Sequence, residues 1–323
     1  MINSLNRKAI LLLTVMVGIV ASVKAQDKVV PMLYGDMEHW VTRKIHESGI
    51  IGGATKYLYE LGPTQMIEKN EAYKNLGGSP WANSNVMAKV AGIVKTNTSV
   101  FPEKRGDGYC VRLETRMESV KVLGIVDITV LAAGSLYTGT VHEPVSGTKN
   151  PMKILGMGIP FTQMPKAVRF DYKIKMSGDS DRIRATGFSR ISKIPGKDLP
   201  AVILLLQKRW EDNKGNLYAI RVGTMVVKFD KSTTGWINKA TYPVMYGNIT
   251  QSASYKPEWM KIQEQERYSL NSKGKSVPIK EVGWATEDDK PTHMVLQFTS
   301  SHGGAYIGSP GNTMWVDNID LIY

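Results

Sequence analysis

Few side chains in this 323-residue chain stand at spacings suited to covalent chemistry. Two carboxylate pairs, Glu114 with Glu118 and Glu264 with Glu266, could approach each other closely enough to work as acid and base on one substrate, which needs a separation of about 5–10 Å. Neither pair lies in a Glu-x-Asp-x-x-Glu strand signature, and the segment from Gly124 to Thr129 offers only Asp127. Ionic surface positions explain these carboxylates better than catalysis does. The histidines, His39, His46, His142, His293 and His302, form neither a His-Glu-x-x-His nor a His-x-His pattern, so zinc chemistry has no framework. There is no Gly-x-Ser-x-Gly elbow to support a nucleophilic serine. Gly303-Gly304 and the stretch Gly308 to Gly311 are turn chemistry, since no Lys-Ser/Thr pair and helix follow to cradle a phosphate. The single cysteine, Cys110, excludes an internal disulfide framework and a cysteine zinc cluster, and beside Val111 it is expected to be a quiet, partly buried thiol.

Non-covalent chemistry has better candidates. Trp81 lies in Gly77-Gly78-Ser79-Pro80-Trp81-Ala82-Asn83-Ser84-Asn85, a loop-like run without core periodicity and with two amides nearby. Tyr306 lies in the Ser300–Gly311 stretch beside His302. A flat ring with polar neighbours can hold a ligand that has an apolar face and hydroxylated edges. Trp81 and Tyr306 are therefore the expected stacking rings, with Asn83, Asn85 and His302 as hydrogen-bonding partners. Trp40, Trp210 and Trp236 adjoin strands or turns and fit a core or a rim equally well, burial being the common fate of such rings.

The elements that must carry these residues are strands. Val168 to Met176 alternates apolar residues with Arg169, Asp171, Lys173 and Lys175, a period of two that buries one face only if the segment is extended. Val111 and Leu113 repeat the pattern, as do Met294, Leu296 and Phe298. The unbroken run Val202-Ile203-Leu204-Leu205-Leu206 reads as a strand covered on both faces. Asp212-Asn213-Lys214-Gly215-Asn216 then turns the chain into a returning strand near Leu217. Helix signals are confined to Pro257-Glu258-Trp259, with proline at the first helical position, and to a weaker stretch from Thr64 to Tyr73. More than ten short strands with one or two short helices predict an all-β fold, a β-sandwich of jelly-roll type. No linker or internal repeat divides the chain, so residues 26–323 are expected to form a single domain.

Residues 1–25 read as an export leader. Arg7 and Lys8 precede the apolar stretch Ala9 to Ala21, and Val23-Lys24-Ala25 offers a peptidase its small residues. The apolar run is shorter than the ~20 residues of a bilayer span, so no transmembrane segment is expected after cleavage. Three of the 41 basic side chains belong to the leader, leaving 38 against 29 acids. That surplus is spread along the chain without a basic run or a nucleic-acid motif, which argues against a nucleic-acid partner. The expected location is secreted, periplasmic or cell-surface.

Three stretches carry a family resemblance: Leu33 to Trp40; Ala132 to Gly139 leading to Gly158-Ile159-Pro160-Phe161 and the strand at Val168; and the C-terminal Ser300 to Tyr323. From Leu33 to Tyr323 the chain resembles the putative carbohydrate metabolism domain (PCMD) family of secreted Bacteroides-type proteins, which is similar in form to carbohydrate-binding jelly rolls. The resemblance implies an exported sandwich that contributes to polysaccharide recognition or use, with a glycan as partner. The alternatives are a glycoside hydrolase on the same fold and a structural or adhesion protein of the cell envelope. Carbohydrate-binding jelly rolls often hold a calcium ion between the last strand and the first. Here that would fall to Asp317 with Glu38, next to Asp320 and Asp36, although no dense loop of oxygen ligands accompanies them.

Overall fold

The computed structural model describes residues 27–323 except 91, 123–125, 148–149, 188–189, 264–266 and 287. The expected leader and the Glu264/Glu266 pair lie outside the described residues. Two large sheets face each other. The first has six strands in the order Ile237–Pro243, Ala167–Lys175, Thr313–Ile322, Gly108–Glu114 and Val100–Arg105, with Val29–Pro31 also paired to the C-terminal strand. The second has ten, in the order Leu155–Met157, Ser135–Val141, His293–Thr299, Ala201–Glu211, Leu217–Lys228, Ser276–Trp284 and Tyr268–Leu270, with three short strands, including Trp81–Asn83, added beside this path.

Alternation decides what each strand gives to the core. Val168, Phe170 and Ile174, with Val111, Leu113, Met314 and Val316, project from the first sheet. They meet Val202, Leu204, Leu206, Leu136, Met294, Leu296 and Phe298 from the second. The phenyl ring of Phe170 meets that of Phe298 edge to face at 5.1 Å, a geometry favoured by the ring quadrupoles. This is the expected β-sandwich. The jelly-roll winding expected with it is a finer statement than these strand orders make.

The run Val202 to Leu206 is covered on both faces, as its unbroken apolarity requires. Val202, Leu204 and Leu206 enter the sandwich core, whereas Leu205, with Ile203 at its edge, joins a second cluster with Tyr137, Met157 and Val295 on the opposite face. The turn after it forms because the Asp212 carboxylate accepts the amides of Lys214 and Asn216, at 2.9 and 2.8 Å. Gly215 supplies the positive φ of 86°.

The helix signal at Pro257 yields one turn, Pro257–Met260. The stretch from Thr64 to Tyr73 is not helical. It lacks an apolar stripe to bury, and Gln65–Ile67 instead pairs in parallel with Trp40–His46. Among the described residues no helix is long and apolar enough to cross a membrane. Cys110 is buried and free, and burial pushes its thiol up to about 12, so it stays protonated.

Candidate functional site

The outward face of the second sheet is the floor of a broad groove of about 830 Å³. Strand register places two rows of side chains across it. Tyr137, Gln297, Ile203 and Val226 are direct neighbours on four successive strands, and Ser135, Thr299, Ala201 and Lys228 form the next row. Each row crosses three strand spacings, roughly 14 Å.

Two hairpins wall the groove, and each presents one face by the same period of two. Val86, Ala88 and Val90 pair with Asn97, Lys95 and Ile93 in the first, and all six line the groove. In the second, Glu118 and Val120 pair with Val130 and Ile128, and these four line it as well. The second hairpin reaches the floor through Ala132-Ala133-Gly134-Ser135, where the Gly134 amide donates to the Glu114 carbonyl at 3.0 Å. A Cβ at Gly134 would run into the backbone of Glu114 and Ser99. Gly134, within a stretch that carries part of the family resemblance, is thus glycine because two chain segments touch there.

The remaining boundary comes from the stretch around Pro151, where Gly147, Asn150, Pro151, Met152, Ile154 and Leu155 line the groove, and from two further loops. The one-turn helix and the residues after it contribute Glu258, Trp259, Lys261, Gln263, Arg267 and Tyr268. Trp259 is half-buried, and the Lys228 ammonium stands 4.6 Å from the centre of its indole. The loop after Thr299 contributes Ser301 to Tyr306. Its base is tied to the fully buried Asp198, whose carboxylate accepts from the Ser301 hydroxyl and the Ser309 amide at 2.9 Å each. His302 Nδ1 lies 2.9 Å from the Leu199 amide nitrogen and 3.2 Å from the Leu199 carbonyl oxygen, which anchors the ring beside Asp198. Tyr306 adopts a positive φ of 64° and is half-buried, and burial raises its phenol pKa.

The expected site residues separate into two sets. His302 and Tyr306 line the groove. Trp81, Asn83 and Asn85 do not, and their assignment as ligand contacts is corrected here. Trp81 is 2 % exposed in the sandwich core, and its indole N–H donates to the Leu33 carbonyl at 2.8 Å. Asn83 donates to the Tyr59 carbonyl and to Glu60 at 2.8 Å. Asn85 is an internal bracket: it donates to the carbonyls of Tyr59 and Val100 and accepts the amides of Ser99 and Val100. These rings and amides are consumed by the fold because Trp81–Asn83 adds itself to the Ser135–Val141 edge as a strand. Trp40 is also core, and Trp210 is exposed and stacked on Tyr218 away from the groove lining.

The expected calcium ligands do not fit a cation. The Asp317 carboxylate is engaged by Arg105 at 2.6 Å and by the Asn318 amide at 2.8 Å. Arg105 bridges to Asp171 at 2.8 Å, so a guanidinium already occupies the position between the acids. Glu38 is spent on the Tyr109 amide at 3.0 Å. Among the described residues no group of three or more His, Cys, Asp or Glu could hold a metal ion. The first and last strands are joined by backbone pairing, Val29–Pro31 against Asp320, Leu321 and Ile322.

Of the carboxylates weighed from the sequence, Glu114 pairs with Arg112, whereas Glu118 lines the groove half-buried, and burial raises its pKa against the pull of Lys95 and Arg116. The sequence reading missed Trp259 and the hairpin faces. The signal was available in the alternation of Val86-x-Ala88-x-Val90 and of Ile128-x-Val130-x-Ala132, apolar faces left over once the sandwich core is filled.

The molecule is a β-sandwich with a concave, partly aromatic groove on one outer face. A family profile described as putative carbohydrate metabolism domain (PCMD) matches residues 59–322, and the chain belongs to that family. No curated protein matches it. Two crystal structures are similar to it. One is of a putative glycoside hydrolase from Bacteroides thetaiotaomicron, at 19% identity over 84% of this chain and 76% of that chain, with a TM-score of 0.44. The other is of a putative glycoside hydrolase from Bacteroides vulgatus, at 14% identity over 92% of this chain and 95% of that chain, with a TM-score of 0.41.

Proposed function

We propose that the groove recognises a segment of polysaccharide, and that this recognition takes place outside the cytoplasm, in the periplasm or at the cell surface. The observation that carries the reading is the gathering of Trp259, Tyr268 and Tyr306 in one groove of about 830 Å³ with the polar side chains of Asn97, Gln297, Gln263 and His302. Aromatic faces take the C–H side of a sugar ring, and amides and an imidazole take its hydroxyls. Membership of the PCMD family supports a carbohydrate ligand, and the leader expected over residues 1–25 supports export. Affinity is expected to be modest, because an open groove must desolvate many hydroxyls for each ring stacked. The test is binding to a panel of immobilised polysaccharides by wild type, Trp259→Ala and Tyr306→Ala. Recognition of at least one polymer, weakened in both variants, supports the reading; no ligand in the panel counts against it.

One observation favours a second reading, hydrolysis of the glycan. Glu118 lines the groove with its pKa raised by burial, as a general acid requires, and Glu258 is another carboxylate in the same lining. Reducing ends released from a polysaccharide by wild type but not by Glu118→Gln would establish it. Binding without release in both proteins would leave recognition alone.

A further inference from the structure

The groove wall that carries Trp259 is fastened from beneath by charges that do not face the groove. Arg221 and Glu281 lie on adjacent strands of the second sheet, and their side chains are each 1% exposed. They form a two-pronged ion pair, with one Arg221 nitrogen 2.6 Å from Glu281 Oε1 and a second on Oε2. Gln207 completes the first oxygen by donating to it at 2.6 Å.

Such a pair adds little net stability, because removing two charges from water cancels most of their attraction. Its remaining hydrogen-bonding capacity shows its use. Glu281 Oε2 also accepts the Gln263 backbone amide at 2.9 Å, and Arg221 reaches the Met260 carbonyl at 3.5 Å. The Glu281 amide in turn donates to the Gln263 carbonyl at 3.0 Å. Both members of the buried pair therefore grip the segment Met260–Gln263, the continuation of the single helical turn that holds Trp259. That turn is too short to hold itself, since one turn of helix fixes several dihedrals for very few hydrogen bonds. Among the described residues, the Lys256 carbonyl accepts the Trp259 and Met260 amides at 2.9 and 2.8 Å.

We propose that Arg221 and Glu281 are positioning residues for the groove: the buried pair fixes the Trp259 wall in its ligand-ready place. The consequence for affinity rests on the glycan reading above; the consequence for wall order does not.

The experiment compares wild type, Glu281→Gln, Trp259→Ala and the paired replacement Arg221→Met/Glu281→Leu. The paired replacement removes both charges of the ion pair together, and the nearby buried Arg209 keeps its bonds to Gln207 and to the Met157 carbonyl, so the fold is retained. Amide hydrogen exchange is followed at Trp259–Gln263 and at the core strand Ala201–Glu211, together with binding to the polysaccharide panel. The expected result for the paired replacement is exchange roughly tenfold faster at Trp259–Gln263, the loss of bonds to charged groups, with the core strand unchanged. Polysaccharide affinity is expected to fall to the level of Trp259→Ala, and adding Trp259→Ala to the paired replacement should cost nothing more. Unchanged exchange at Trp259–Gln263, or affinity losses that add, would overturn the proposal. Faster wall exchange in a protein that binds no polysaccharide in wild-type form would uphold the positioning role and remove the glycan reading.

Discussion

Trp81 and Tyr306 sit in segments of the same kind, rich in Gly, Ser and small polar residues, and they end in opposite surroundings. Trp81 is 2 % exposed and packed against Phe298 with a ring separation of 6.5 Å, whereas Tyr306 lines the groove half-buried. The difference lies in what the neighbouring backbone does. Trp81–Asn83 finds a free strand edge at Ser135–Val141 and becomes part of the sheet, which turns alternate residues inward. The Ser301–Tyr306 segment instead bends away, through Gly304 at φ 83° and Tyr306 at φ 64°. It is tied down at its base by Asp198, at His302 by the Leu199 amide, and at the Tyr306 carbonyl by the Ala185 amide at 3.0 Å. A loop-like composition therefore says that a segment can turn; it does not say whether an edge will capture it.

The comparison can be broken most directly at its two rings. Trp81→Ala should destabilise the chain by about 3–5 kcal/mol, the cost of emptying a packed aromatic site. Tyr306→Ala should cost under about 1 kcal/mol while weakening polysaccharide binding. Urea unfolding and panel binding measured on both variants check this, and a reversal of the two effects would undo the distinction. Asn85→Ala should be the next largest, about 2 kcal/mol, because the buried amides of Ser99 and Val100 would lose their acceptor.

Trp259→Ala sharpens the contrast from the other side. It should lower affinity for a bound polysaccharide roughly threefold to tenfold, the worth of one ring contact, with a melting temperature close to wild type. The smallest effect is expected from Glu118. Its pKa is raised in the fold, so the native state keeps that proton to higher pH than the unfolded chain. Its contribution to stability is therefore greatest at acid pH and is lost as pH rises from the ordinary glutamate range through the raised value. Glu118→Gln should flatten that part of the stability profile by under about 1 kcal/mol, since the group is half-exposed and screened. Urea midpoints at pH 4 and pH 7 for both proteins measure it.

Much of the scaffold is legible without coordinates. The alternation at Val168 to Met176, the doubly covered run at Val202, the Asp212–Asn216 turn and the proline-led helical turn at Pro257 are each dictated by a local rule, and each is present. The site is legible only in part. His302 and Tyr306 were accessible to reading because their segment has no strand pattern to claim it. Trp259 was not, because nothing local distinguishes a ring on a one-turn helix that packs inward from one that borders a groove. The ligand expectation at Asp317 fails for a related reason: an acid's partner is chosen in space, and here Arg105 arrives from a strand 212 positions away.

The amino-acid order alone settled the period of two, the apolar faces available for burial, and the places where glycine and proline bend the backbone, because each depends on near neighbours in the chain. That both surplus hairpin faces came together around one groove was decided in three dimensions. So was the capture of Trp81 by a free edge, and so was the fastening of the Trp259 wall to Arg221 and Glu281. Those outcomes depend on contacts between segments far apart in sequence, where available edges and buried charges, and not local pattern, set the free energy.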